Sequence, residues 1–251
     1  MAAAAALRER HNHGGGYIEM RTYSESSEKR VILPYKKETE VFLLPVEAEQ
    51  RLGYLLCKRT LDIVISVAAL ILLLIPMIGI AILIKCTSPG TVFFCQERLG
   101  LYGKQIRIRK FRSMYMTAEE NGAQWSVGCD PRVTPIGRIL RRYHLDELPQ
   151  FWNIFCGDLS LVGPRPEREC FYREFETYIH GFSERLKVKP GLTGLAQIRG
   201  GCDLRPEEKI LYDLEYIRTR SLRKDLEILL RTVPVVLRGT KARKIEKEFR
   251  G

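Results

Sequence analysis

Between Leu61 and Ile84 the chain runs for 24 residues with one acid, Asp62, one serine, one glycine and one proline, and everything else is apolar. A run of that length matches a bilayer's hydrocarbon core, which takes ~20 residues of helix, and is longer and greasier than the buried helix of an ordinary globular core. Lys58 and Arg59 flank one end and Lys85 the other. Pro76 lies past the middle, removes a backbone donor and predicts a break there. Two arrangements meet these facts: a straight span, and a re-entrant helix-break-helix that enters and leaves by one face. Cations at both ends and the internal proline favour the second. In either case the excess of Lys and Arg that begins after Ile84 places the following domain on the cytosolic face.

The rest of the 251 residues suits one domain of ordinary size. The expected organisation is a polar N-terminal extension over 1–57, the membrane segment over 58–86, a catalytic domain over 87–239 and a polar tail over 240–251. Residues 1–57 hold eight basic and eight acidic side chains, so the whole net charge of +11 lies beyond them. A basic body points to an anionic partner: nucleic acid, anionic lipid or a phosphorylated substrate. The seven cysteines contain no C-x-x-C pair, and with the four histidines they offer no zinc spacing or disulfide framework. They read as free thiols in a reducing compartment. His11 and His13 sit in a Gly-rich tail, and Met1–Leu7 lacks the charged start of a secretory signal.

The expected fold is α/β and mostly helical. Residues 39–45 form a short extended piece. Residues 91–96 read as a strand, and Gln105–Phe111 alternates with period two, so the pair forms a β-hairpin. Short amphipathic helices follow at 135–143, 146–156, 166–180, 206–219 and 222–237.

The stretch from Arg138 to Gln150 is richest in chemistry. Arg138, Arg141, Arg142 and His144 precede two adjacent carboxylates, Asp146 and Glu147, and Pro149 suits the first turn of a helix. On the purely structural reading, Asp146 caps that helix and Glu147 complements its dipole. On the functional reading, the helix start and the arginines hold a phosphate while one ionised carboxylate attacks phosphorus. Neighbouring helical residues diverge, so the second acid orients, binds metal or handles a proton. Carboxylate and diphosphate repel, so a divalent cation is expected, and hard oxygen ligands favour Mg²⁺, for which Asp146 and Glu147 are the candidate ligands. Arg165, between Pro164 and Pro166, reads as a phosphate clamp on a stiff loop. The run from Lys187 to Gln197 reads as a turn or a phosphate cradle.

These blocks, in order, are Gln96-Glu97-Arg98-x-Gly100, Lys110-Phe111-Arg112-Ser113-Met114, Asp130-Pro131-Arg132-x-Thr134, Leu145-Asp146-Glu147-Leu148-Pro149-Gln150, Leu161-Val162-Gly163-Pro164-Arg165-Pro166 and Lys189-Pro190-Gly191-Leu192-Thr193-Gly194. From about Lys58 to Gly239 the chain resembles the bacterial sugar transferases, the monotopic polyprenyl-phosphate hexose-1-phosphate transferases. The resemblance implies a re-entrant membrane helix broken at Pro76, followed by a small catalytic domain on the cytoplasmic face of a bacterial inner membrane. It implies a Mg²⁺-dependent reaction in which Asp146 takes the phosphosugar from a UDP-sugar, UMP leaves, and polyprenyl (undecaprenyl) phosphate accepts the sugar-1-phosphate. That step initiates exopolysaccharide, capsule, O-antigen or glycoprotein glycan assembly. Glu147 supports catalysis. Arg141, Arg142, Arg165, Lys110, Arg112, Gln150 and Lys189 bind substrate, and Lys58 and Arg59 hold lipid head groups. The partners implied are the donor, the lipid acceptor and the phospholipid membrane, with no nucleic acid and with room for a homodimer.

Two rivals compete with this reading. Paired acids also serve glycoside hydrolases, but there they face each other across ~5–9.5 Å from separate segments, which an adjacent pair does not do. A membrane-tethered basic module with no catalysis would use the same cations for lipid or nucleic acid.

Overall fold

The computed structural model describes residues 40–49, 51–120, 130–201 and 204–239. His11, His13, Cys129, Cys202 and the tail from residue 240 lie outside them.

Helix α1 (Leu52–Leu72) and helix α2 (Leu74–Thr87) form the apolar segment, meeting at an angle of 60°. The expected break at Pro76 falls instead at Leu73, whose φ of −94° and ψ of 3° interrupt the helix. A proline ring collides with the carbonyl four residues earlier, here Leu72, so the damage appears upstream of the proline. Pro76 then sits in the first turn of α2, where its missing N–H leaves no intrahelical bond unmade.

Both ends of this bent pair are tied to the globular body. At the α1 end, Asp62 is buried and accepts from the Leu161 backbone N–H at 2.9 Å and the Ser160 hydroxyl at 3.1 Å. Lys58 pairs with Asp225 at 2.8 Å, and Tyr54 and Tyr216 donate to the same carboxylate. Arg59 donates to the carbonyls of Ile154 and Phe155. At the α2 end, Ile80 and Ile84 pack against Phe111 and Leu140, and the buried Arg112 donates to Ser88 and Pro89. Between these two anchorages the elbow is bare: Leu72 is 77% exposed and Ile75 81%.

The catalytic-length body begins with a hairpin, β2 (Phe93–Leu99) against β3 (Gln105–Phe111), as its alternation predicts. The inner edge of β3 is covered by one side chain. Asn153 accepts from the Arg109 N–H at 3.0 Å and donates to the Arg107 carbonyl at 2.7 Å, imitating a third strand. Helix α3 (Pro135–Arg142) is capped by the Thr134 hydroxyl, which accepts from Gly137 N at 2.9 Å. Helix α4 (Gln150–Cys156) follows. The expected helix over 166–180 is shorter, α5 (Glu169–Glu176), because the chain then turns into β5 (Ile179–His180), which pairs with β1 (Val41–Phe42).

One sheet was not foreseen. Strand β4 (Ser160–Val162) runs parallel to β6 (Gly191–Thr193) in the centre of the molecule. It explains the glycines of two sequence blocks. A Cβ on Gly191 would lie 2.0 Å from Gly163 N, and one on Gly163 would lie 2.4 Å from the Lys189 carbonyl. The glycines of the expected phosphate cradle are spent on letting two backbones touch. Helices α6 (Leu195–Arg199), α7 (Pro206–Thr219) and α8 (Leu222–Arg238) complete the fold. They close over the larger core, with Phe175, Phe182, Ile179, Ile210 and Ile228 fully buried, while Phe111 belongs to the smaller cluster under α2 and α3. Helix α8 keeps an apolar stripe, Leu226, Leu230, Val233 and Leu237, in the open.

Asp62 tests how α1 is seated. Asp62→Ala leaves the buried Leu161 N–H without an acceptor and should cost ~1–3 kcal/mol. Asp62→Asn keeps an acceptor and should cost much less, as read from thermal unfolding in detergent micelles. Equal losses would show that charge rather than the hydrogen bond seats the helix.

Candidate active site

The catalytic-looking pair lies in a single 3₁₀ turn, Leu145–Glu147, and not in a helix start. His144 precedes it in the left-handed region, φ 56°, a conformation that costs energy for any side chain bearing a Cβ. That kink separates the turn from α3. The N-cap position of α4 is occupied by Pro149, with no side-chain cap, so the expected capping role of Asp146 is not realised. The turn instead buries both carboxylates, Asp146 at 5% and Glu147 at 8% exposure.

Their surroundings differ. Glu147 meets Arg165 at 2.5 Å and Lys110 at 3.2 Å. Burial works to raise its pKa, but Arg165 and Lys110 outweigh it and hold the carboxyl well below the ordinary glutamate range. Asp146 has no hydrogen bond or ion pair among the described residues. Burial, and then the charge on Glu147, push its pKa up, against the fields of Lys110 and Arg141. The result is one carboxylate fixed as an anion and a neighbour with open oxygens and a higher basicity.

Distant segments supply the cations. Lys110 is the last inward residue of β3 before Phe111. Arg165 projects from a loop whose three successive carbonyls are each held. Pro164 O accepts from Gly191 N at 2.9 Å, Arg165 O from the Arg185 guanidinium at 2.8 Å, and Pro166 O from Arg98 at 2.9 Å. Arg185 is itself buried and paired with Asp213 at 2.6 Å. Arg141 is steered by the Ser113 hydroxyl at 3.0 Å and acts on Asp146 through its field.

Thus Asp146, Glu147, Arg141, Arg165 and Lys110 come together, as expected. Gln150 joins them on the next turn, buried, with its Nε2 unpartnered among the described residues. Other expected binders do not. Arg112 clamps the end of α2, as described above, because three carbonyl and hydroxyl oxygens of Ser88 and Pro89 face it. Arg142 is exposed and lies over the Tyr143 ring at 5.6 Å. Lys189 stands at the far end of α4, where it and Arg59 both approach Gly157. Lys58 and Arg59, expected at lipid head groups, have their donors taken by Asp225 and by the C-terminal carbonyls of α4. Arg98 and Arg185 were passed over. Arg98 stood in view inside the Gln96–Gly100 block, whereas a single arginine in a 3₁₀ segment gave no signal for Arg185.

No cluster of three or more potential metal ligands exists among the described residues. Two adjacent carboxylates nevertheless fit Mg²⁺, which usually takes one or two acids and completes its shell with substrate phosphates and water. The open oxygens of Asp146 meet that requirement. Those of Glu147 are already shared with two cations.

The family model described as "Bacterial sugar transferase" matches residues 53–239. A UDP-N-acetylgalactosamine-undecaprenyl-phosphate N-acetylgalactosaminephosphotransferase of Aeromonas hydrophila is 41% identical over 193 residues, 76% of this chain and 46% of that protein. A UDP-glucose:undecaprenyl-phosphate glucose-1-phosphate transferase of Escherichia coli K12 is 43% identical over 183 residues, covering 71% and 39%. One of the same description from Caulobacter vibrioides is 42% identical over 186 residues, covering 72% and 69%. The chain therefore spans less than half the length of the first two, and the matched region holds every element of the site. With a family model covering α1 through the end of α8, the chain belongs to the bacterial sugar transferase family.

Proposed function

We propose that this protein transfers a sugar-1-phosphate from a UDP-sugar to undecaprenyl phosphate and releases UMP. The relatives' descriptions name a UDP-sugar, undecaprenyl phosphate and transfer of the sugar phosphate. The observation that supports it in this chain is Asp146, a buried carboxylate with open oxygens, set beside a glutamate already neutralised by Arg165 and Lys110. Asp146 attacks the sugar-bearing phosphorus. Its oxygen–phosphorus bond forms as the bond to the bridging oxygen breaks, and UMP departs with that oxygen. An oxygen of the lipid phosphate then attacks the same phosphorus, and the aspartate leaves as a free carboxylate. Glu147 keeps Arg165 and Lys110 aimed at the phosphates without itself competing as a nucleophile. Mg²⁺, held by Asp146 with the diphosphate, would neutralise charge on the phosphoryl oxygens.

The same reading places the bent helix pair in one leaflet. The two ends are fastened to one body, and a single body does not lie on both sides of a membrane. From Asp62 to the elbow at Leu72 a helix rises ~15 Å, half of the ~30 Å hydrocarbon core. The bare elbow and the leucine stripe of α8 present apolar surface to lipid. The catalytic body then lies on the cytoplasmic face of the inner membrane, where nucleotide sugars are, and initiates a surface glycan.

Three measurements test this. Asp146→Asn should abolish UMP release and the mass gain of one phosphosugar seen on wild type incubated with donor alone, while membrane association persists. Turnover near wild type in that variant removes the covalent step. Arg165→Ala should lower the rate of UMP release by ~10²-fold, the usual loss for one donor aimed at developing charge, and Arg165→Lys should fall between. Chelation by EDTA should stop UMP release and Mg²⁺ should restore it, whereas activity unchanged in EDTA removes the metal.

A further inference from the structure

Residues 40–49 precede residue 53, where the family match begins, yet they are fastened to the body. Strand β1 adds to β5: Val41 N donates to the Tyr178 carbonyl at 2.7 Å and Leu43 N to that of His180 at 3.0 Å. Val46 is 2% exposed and belongs to the larger core. At the other end, the Glu49 carbonyl accepts from Arg220, at the corner between α7 and α8. The chain then enters α1. This segment is a strap, held at both ends and seated in the middle.

The middle sits on the 3₁₀ segment Phe182–Lys187. Six residues is long for a 3₁₀ helix, whose backbone bonds are poorly aligned, so the segment depends on outside support. Three residues per turn place positions i and i+3 one above the other. Phe182 and Arg185 share the inward face, both buried, with the guanidinium 5.0 Å over the ring. Glu184 and Lys187 share the next face and meet at 2.7 Å. That face grips one residue of the strap by both its backbone groups. Glu184 accepts from Val46 N at 2.6 Å, and Lys187 donates to Val46 O at 2.9 Å. Glu176, at the end of α5, accepts from Gly181 N at 2.8 Å and Ser183 N at 3.0 Å and fixes the start of the segment. The clamp on Val46 fixes its end. Arg185 lies between the two clamp residues and donates to the Arg165 carbonyl at 2.8 Å. A shift of the segment is therefore a shift of the loop that brings Arg165 to Glu147.

We propose that the strap positions the candidate active site: Val46, gripped by Glu184 and Lys187, sets the segment from which Arg185 holds the Arg165 loop. Glu184, Lys187 and Arg185 are positioning residues that act through Arg165. The proposal rests on the role given to Arg165 in the proposed reaction and adds to it a segment outside the family match.

UMP release by the full-length protein in detergent micelles, with UDP-sugar and undecaprenyl phosphate supplied, reads the effect. Glu184→Ala should lower kcat about tenfold and leave the KM for the UDP-sugar within about twofold. Glu184→Gln, which keeps an acceptor for Val46 N, should recover most of the loss. Lys187→Met, which frees only the carbonyl, should lower kcat about threefold. Added to Arg165→Ala, Glu184→Ala should change kcat less than about twofold, because the route ends at Arg165. The same loss in both backgrounds would mean general loosening and overturn the proposal. Wild-type kcat in both Glu184→Ala and Lys187→Met would overturn it too. Should Glu184→Ala not fold, Lys187→Met takes its place in the same pair of backgrounds. A loss in Arg165→Ala with none in the strap variants removes the strap alone. Wild-type turnover in Arg165→Ala, or no UMP from any UDP-sugar, removes the reading of the site and the strap's role with it.

Discussion

A carboxylate buried as deeply as Glu147 stays ionised only if the protein surrounds it with positive charge, and that need organises the centre of the molecule. Removing an unpaired anion from water costs several kcal/mol, so Arg165 and Lys110 must both arrive with accurate geometry. Lys110 comes with the hairpin, whose inner edge Asn153 locks to α4. Arg165 comes on a loop whose two prolines supply no N–H, so it is gripped from outside through consecutive carbonyls. One grip is the backbone of β6, and the others are the guanidinium groups of Arg185 and Arg98. Burying Arg185 in turn requires Asp213. A single ion pair at the site thus accounts for a chain of charges reaching into α7.

The same requirement separates two acids that are identical in kind and adjacent in sequence. Glu147 takes both cations, so Asp146 is left with the repulsion of its neighbour and the cost of burial. The nucleophile proposed above would gain from both. Its electron pairs are not committed to hydrogen bonds, and its basicity is raised. The 3₁₀ turn makes this division possible, because an α-helix starting at Asp146 would have drawn that carboxylate onto its own backbone N–H groups.

How much of this was legible in the sequence depends on the range over which each feature is determined. Helices α7 and α8 announce themselves by spacing, by Pro206 at a first helical position and by the Ser221 hydroxyl that accepts from Lys224 N. The hairpin is local, and its alternation is plain. Strands β4 and β6 are three residues each and lie some thirty residues apart, too short for periodicity to register; only their glycines hinted at contact. The catalytic turn was misread as a helix start because the left-handed bend at His144 is not one that histidine advertises. Among site residues, Asp146, Glu147, Arg165, Lys110 and Arg141 could be found from charge and motif. Arg112, Lys58 and Arg59 carry the same charge, but tertiary contacts direct them to structural carbonyls and carboxylates, and residue type alone does not separate those fates.

The assignments that moved still connect the candidate site to the apolar helix pair. Arg59, on α1, donates to the last carbonyls of α4, and the catalytic turn stands at the first residues of that same helix. Helix α4 has seven residues, so the turn bearing Asp146 sits ~10 Å from the point where α1 is fastened. Asp62, one turn further along α1, fixes β4, whose next residues are the Arg165 loop. Helix α1 therefore grips both halves of the candidate site, the turn bearing Asp146 and the loop bearing Arg165. In the proposed reaction a lipid-borne phosphate has little freedom in depth, and an Asp146 whose position is set by the helix proposed to enter the lipid would need no separate device to meet it.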